Sequence, residues 1–225
     1  MLQVNIHEAK TQLSMLDDKG FDLWADTYDQ SVDISDKNNT YPFAGYEKLI
    51  NVVLEMILND KKLTVLDIGI GTGALSTELY KNGYKITGID FSEEMIKICR
   101  EKMPLAKMVQ YDFSKGFPDE LNGEKYDYII STYAFHHLND SEKIIFIKKL
   151  FKKLNATGLL IIGDVGFQTR KELNECKLLN KDEWDDNEFY IVYDEIKDSL
   201  ESIYKMKFIK ISICAVIVTI SMKEK

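Results

Sequence analysis

The spacing of apolar positions changes near residue 63, and the change divides the chain. In Phe21-Asp-Leu-Trp-Ala-Asp-Thr-Tyr-Asp29, apolar or aromatic residues fall at 21, 24, 25 and 28, one face of a helix. Residues 31–41 are polar and end in Tyr41-Pro42, which predicts a loop. Tyr46, Leu49, Ile50, Val53, Leu54 and Ile57 return to helical spacing. Beyond 63 the apolar residues come in short runs. Strands are expected at 63–68, 85–89, 108–111, 126–131 and 158–164, with helices at 74–81, 92–102 and 141–154. Ser92 and Ser141 stand where N-caps would start two of these helices. Strands alternating with helices build a parallel sheet covered on both faces.

After Asp164 the pattern reads as a long helical stretch. Two alternating runs, 208–213 and 216–221, close the chain around a pivot at Cys214-Ala215 and predict an antiparallel hairpin at the sheet edge. The expected fold is a single α/β domain of Rossmann-like type, with a seven-stranded, mostly parallel sheet. It divides into a helical cap (1–60), a core (63–165), a helical lid (166–205) and the terminal hairpin (206–222).

Charge narrows the function. The 225 residues carry 29 Lys+Arg against 37 Asp+Glu, a net −8, and only Arg100 and Arg170 are arginine. Arginine is the usual bidentate reader of phosphate and guanine, so the balance argues against a nucleic-acid partner. Nine acids at 181–201 against Lys181 and Lys197 make the lid strongly acidic, which reads first as a solvated helix face and second as a surface for a cationic substrate. Cys99, Cys176 and Cys214 are scattered, with no zinc spacing and no disulfide framework. The first residues lack the basic-then-apolar pattern of a signal peptide, and the longest apolar stretch, 208–220, is too short to span a bilayer. A cytoplasmic protein with no membrane partner and no metal is expected; its oligomeric state stays open.

The informative feature is the strand–turn–helix at 65–81. Glycines at a strand's carboxyl end let a ligand approach the backbone, and Asp90, 21 residues after Gly69, ends the next strand where a carboxylate can accept both ribose hydroxyls. Gly69-x-Gly71-x-x-Ala74 satisfies a relaxed dinucleotide fingerprint, which keeps a nicotinamide-dependent oxidoreductase open. Asp67-x-Gly69-x-Gly71-x-Gly73 equally satisfies the D/E-x-G-x-G-x-G signature of class I methyltransferases. The acid before the first glycine, Asp112-Phe113 after the third strand, the mouth Ser131-Thr-Tyr-Ala-Phe-His-His-Leu138 and the terminal hairpin favour the second reading.

On those motifs, with Trp24-Ala-Asp-Thr-Tyr-Asp29, the chain resembles the class I S-adenosylmethionine-dependent methyltransferases over roughly residues 20–222, in particular the small bacterial YrrT-like group. The resemblance implies S-adenosylmethionine as cofactor and methyl transfer to a small-molecule acceptor that it does not identify. It implies that Asp67, Gly69, Gly71 and Gly73 lie along the methionyl part, and that Asp90 binds the ribose. Phe91, Asp112 and Phe113 would flank the adenine, Ser131 would sit near the methionyl backbone, and Tyr28 would close over the site. A protein that keeps the pocket without turnover is a third possibility.

His136 and His137 stand at the mouth. One is a candidate general base or substrate contact, with His136 and Tyr28 as the catalytic candidates; the bland alternative has one ring packed and the other in solvent. Trp24 reads first as core, Tyr28 as core or lid, Asp90 alternatively as a helix cap, and Asp112 alternatively as a loop carboxylate.

Overall fold

The computed structural model describes residues 32, 34–60 and 63–223. The expected helix at 21–29, with Trp24 and Tyr28, lies outside them. The elements are α1 (Tyr46–Leu58), β1 (Thr64–Ile68), α2 (Ala74–Lys81), β2 (Lys85–Asp90), α3 (Glu93–Lys102), β3 (Lys107–Gln110), β4 (Tyr126–Thr132), α4 (Asp140–Phe151), β5 (Leu154–Phe167), α5 (Arg170–Leu179), β6 (Ile191–Val192), α6 (Tyr193–Leu200), β7 (Tyr204–Lys210) and β8 (Ala215–Met222).

Period-two alternation sends neighbouring strand residues to opposite faces, and both faces are apolar. Val65, Ile86, Ile130 and Ile161 meet Leu49, Val53, Leu79 and Ile96 from α1, α2 and α3. Leu66, Ile89, Ile129 and Leu160 meet Phe146, Leu150, Ile196 and Leu200 from α4 and α6. The sheet order is β3-β2-β1-β4-β5-β8-β7, with β8 antiparallel to both β5 and β7. From β1 the chain steps outward through β2 and β3, then returns to lay β4 on the other side of β1. That reversal is the topological switch point, where the strand ends splay and open-sheet proteins bind ligands. The sequence predicts a strand overlapping each of the seven on this path, and β6 adds two residues alongside β5.

Four local expectations are corrected. The cap of α4 lies two residues before Ser141: Asn139 caps it, its side-chain oxygen accepting from the Glu142 backbone at 3.0 Å, while the Glu142 carboxylate accepts from the Asn139 backbone at 2.9 Å. β5 is longer than 158–164, because pairing with β8 and β6 extends it to Phe167. The lid is not one helical stretch: between α5 and β6, Asp185 accepts from the Asn187 backbone at 2.8 Å, an Asx turn that competes with helix. The hairpin turns at 211–214 rather than at Cys214-Ala215, and its first strand is Tyr204–Lys210 rather than 208–213, because the Ser212 hydroxyl accepts from the Ala215 backbone at 3.0 Å and Ala215 begins β8. β8 therefore lies inside the sheet and β7 forms its edge. Ser92 caps α3 as expected, accepting from Met95 at 3.2 Å. Among the described residues no helix is long and apolar enough to cross a membrane.

Candidate active site

The turns that follow β1, β2, β3 and β4 line an open cleft. The β1 turn passes through Gly69, Gly71 and Gly73, all at positive φ. Gly69 has φ +69°, and a Cβ there would fall 2.4 Å from the Cβ of Ala134 in the β4 turn. Only glycine serves both requirements, so the β1 and β4 turns meet at this residue. From behind, Lys102 donates to the Thr72 carbonyl at 2.8 Å and the Cys99 thiol contacts the Gly71 carbonyl at 3.1 Å. Burial pushes that thiol up to about 12, so it packs as a small apolar group rather than a nucleophile.

Asp90 is buried at the end of β2 and ties the loop together. Gly71 N–H donates to one of its oxygens at 2.8 Å, and Ser92 N–H donates to the other at 3.0 Å. Asp67, one residue before the end of β1, accepts from the Ser76 hydroxyl at 2.6 Å through Oδ2. Its Oδ1 is buried with no hydrogen-bond partner among the described residues. Burial raises the carboxyl to about 7; the Ser76 bond opposes this and the nearby Asp90 adds to it. A buried acceptor left in this state is stabilised by a donor, above all a cationic one, arriving from the cleft.

The β4 turn forms the facing wall. Tyr133 holds φ 51°, in the left-handed region that non-glycine residues rarely occupy. Its ring centroid lies 5.1 Å from that of Tyr46 and 5.4 Å from that of Phe43. Tyr46 reaches the cleft from the start of α1, where Asp36 accepts from the Gly45, Tyr46 and Glu47 backbones at 2.8, 3.1 and 2.9 Å. Behind the turn is Asp164 of β5, fully buried. It accepts from the backbones of Phe135 (2.8 Å), His136 (3.1 Å) and Val165 (2.7 Å), and from the His136 ring Nδ1 at 2.8 Å. Burial alone would lower the His136 pKa; Asp164 and Glu188 overcome it and raise the ring to about 9. His136 is thus a cation in a buried ion pair.

The cleft brings together Asp67, Gly69, Gly71, Asp90, Phe91 and Phe113 of the residues the sequence singles out. Gly73 stands behind it as the first residue before α2, where a Cβ would meet Cys99 and Met103 at 3.0 Å. Asp112 is turned to the short 3-10 turn 113–115, accepting from the Ser114 backbone and hydroxyl at 3.0 and 2.6 Å. Ser131 is fully buried and braces β4 to β1, donating to the Ile68 carbonyl at 2.8 Å. His136 points inward to Asp164, and it is His137 that borders the cleft. Tyr28 is outside the described residues. Tyr46, Ile70 and Thr72 also line the cleft; in the sequence Tyr46 shows only as one apolar position of a helix face.

Residues 65–158 match the methyltransferase-domain family. A protein of Alkaliphilus oremlandii named as an uncharacterized methyltransferase is 36% identical over 165 residues, covering 73% of this chain and 74% of its own. The chain belongs to the same methyltransferase family as this relative. A second such relative, from Geobacillus, is 39% identical over 152 residues, 67% of this chain and 68% of its own. Magnesium protoporphyrin IX methyltransferase from Synechocystis superposes with a TM-score of 0.63 at 19% identity, covering 80% of this chain and 85% of its own; this likeness concerns the fold.

The cleft fits the cofactor of such methyltransferases. Asp67 presents a buried oxygen without a hydrogen-bond partner among the described residues, suited to an amine. A Cβ on Gly71 would meet nothing within 4 Å, so its backbone faces open space. Phe91 and Phe113 supply flat apolar surface beside Asp90.

Proposed function

We propose that the protein transfers a methyl group from S-adenosylmethionine to a small-molecule acceptor in this cleft. The observation that carries the reading is the pair of buried carboxylates at the glycine loop, one with an unpartnered oxygen. Asp67 takes the amine of the methionyl part. Asp90 takes the ribose hydroxyls, while its two backbone bonds hold the loop in shape. Phe91 and Phe113 flank the adenine, and the backbones of Gly69 and Gly71 run along the methionyl part. Ser131, Asp112 and Gly73 support these groups from one step behind. When bound, the cofactor supplies an electrophilic methyl on a sulfonium. The protein's task is to align the acceptor with it and exclude water. Two observations support the reading: the Synechocystis neighbour was crystallised with S-adenosylhomocysteine, and two arginines in a chain of net charge −8 do not suit a polynucleotide substrate.

A thermal-shift comparison tests the cofactor class: S-adenosylhomocysteine raises the melting temperature and NADH does not. Incubation with S-adenosylmethionine and pooled metabolites, read by mass spectrometry, then yields a singly methylated product. A melting shift with NADH alone would place the chain's chemistry elsewhere.

A further inference from the structure

Two walls of the cleft come from distant parts of the chain. Tyr46 reaches it from the start of α1, and Tyr133 and Ala134 reach it from the β4 turn. None of residues 184–190 is among the described residues that line the cleft, yet this segment is bonded to the root of both walls. Toward the β4 turn, Phe189 N–H donates to the His136 carbonyl at 2.8 Å. The fully buried Lys143 ammonium on α4 donates to the Leu138 and Phe189 carbonyls, one on each side of the junction. Toward α1, Trp184 stacks on Tyr41 at 5.3 Å and meets Tyr190 edge-on at 4.9 Å. The Tyr41 and Tyr190 hydroxyls are hydrogen-bonded to each other.

Glu188 joins the two sets of contacts. An ionised carboxylate only accepts, so the Tyr190 hydroxyl donates to Glu188 Oε2 and the Tyr41 hydroxyl donates to Tyr190 in turn. Glu188 Oε1 lies 3.7 Å from His136 Nε2, and Asp164 holds the other ring nitrogen, Nδ1, at 2.8 Å. Tyr41, Tyr190, Glu188, His136 and Asp164 thus form one chain from the segment ahead of α1 to β5, with every hydrogen directed at a carboxylate or along the way to one. In a poorly solvated setting the members of such a chain strengthen one another. We infer that residues 184–190 are a brace that fixes the spacing between the Tyr46 and Tyr133 walls, with Glu188 as its positioning residue. With the methyltransferase reading above supplying the ligand, Glu188 acts on bound cofactor through other residues, without touching it. Coupling between two places in a protein is reciprocal. A brace that sets the affinity of the cleft is therefore steadied by a ligand in the cleft.

Hydrogen exchange read by peptide mass spectrometry tests this in the full chain. Saturating S-adenosylhomocysteine is expected to slow exchange in the glycine loop 69–73 and also in peptides spanning 184–190. Glu188→Gln keeps the side chain's size and an acceptor for Tyr190 but removes the charge facing His136. In that variant, again at saturation, the glycine loop stays protected and the ligand-dependent protection of 184–190 is lost. A residue that only stabilised the fold would leave that difference in place. Calorimetry is expected to show binding weakened by about three- to tenfold at unchanged stoichiometry. Tyr41→Phe and Tyr190→Phe keep both rings and their stacking, so they carry the test even where Glu188→Gln does not fold. Each is expected to weaken S-adenosylhomocysteine, and the double variant to bind within about twofold of the weaker single, because both cut the same link. Protection confined to the cleft-lining segments in the wild type overturns the proposal. So does protection of 184–190 that persists in Glu188→Gln, unchanged affinity in the phenylalanine variants, or effects that multiply in the double. Failure of S-adenosylhomocysteine to bind the wild type at all overturns the methyltransferase reading instead.

Discussion

Asp67 and Asp90 look alike in the sequence, each a carboxylate at a strand end, yet burial and partners give them different work. Asp90 accepts two backbone bonds that shape the glycine loop. Replacing it with Ala should weaken S-adenosylhomocysteine binding by about 1–3 kcal/mol, through lost charge-assisted hydrogen bonds and a looser loop. Titration calorimetry checks this, and unchanged affinity removes Asp90 from the site. Asp67 carries a signature in pH. Its folded pKa, raised to about 7, exceeds the unfolded value near 4, so the ligand-free fold holds the extra proton between those values. Stability therefore falls as pH rises from about 4 to about 7. Asp67→Asn should flatten that slope in urea titrations while weakening S-adenosylhomocysteine by about tenfold or more. The sequence marked both carboxylates, because a motif records residue type and spacing. It could not show that Asp67 keeps one unpartnered oxygen, or that His137 rather than His136 faces the cleft. Those outcomes depend on Asp164, 28 residues beyond His136, and the strand pairing that brings the two together lies outside any local pattern.

At the level of elements, the β4 turn depends on β5. Asp164 accepts four bonds and faces a cationic ring, and breaking a buried pair from one side leaves a charge uncompensated. Asp164→Asn should cost about 3–5 kcal/mol in denaturant unfolding. The His136 pKa is raised to about 9 from 6.5, so the stability it contributes is full below about pH 6.5 and is lost as pH rises through about 9. The wild-type urea midpoint should fall over that window, and the midpoint of His136→Gln should not. This window lies above the one assigned to Asp67, so the two variants separate the contributions. On α4, Asn139→Ala should cost about 1 kcal/mol by removing the capping box, whereas Ser141→Ala should cost little. The contrast explains the displaced helix start: Ser141 has capping chemistry, but Asn139 has it together with Glu142 three residues on.

For the whole molecule, the strand–helix alternation and the closing hairpin make the sheet readable, since a doubly covered parallel sheet needs continuous apolar runs such as those at 128–130 and 159–162. Residues 180–190 were misread because acids at helical spacing look the same in a helix and in a turn. Here the Asx turn at Asp185 and the stacking of Trp184 on Tyr41 at 5.3 Å hold the segment in another shape. The same folding brings the Phe189 backbone to the His136 carbonyl at 2.8 Å, so the acidic segment abuts the turn that lines the cleft. The molecule's organisation thus converges on one place: the glycine loop, the end of β2 and the β4 turn meet at the switch point of the sheet. The most direct test of that convergence is isothermal titration of the purified protein with S-adenosylhomocysteine, with NADH in a parallel cell. Saturable one-to-one binding of S-adenosylhomocysteine, lost or weakened in Asp90→Ala, with no heat from NADH, is the expected result; binding of NADH alone would contradict the cofactor assignment.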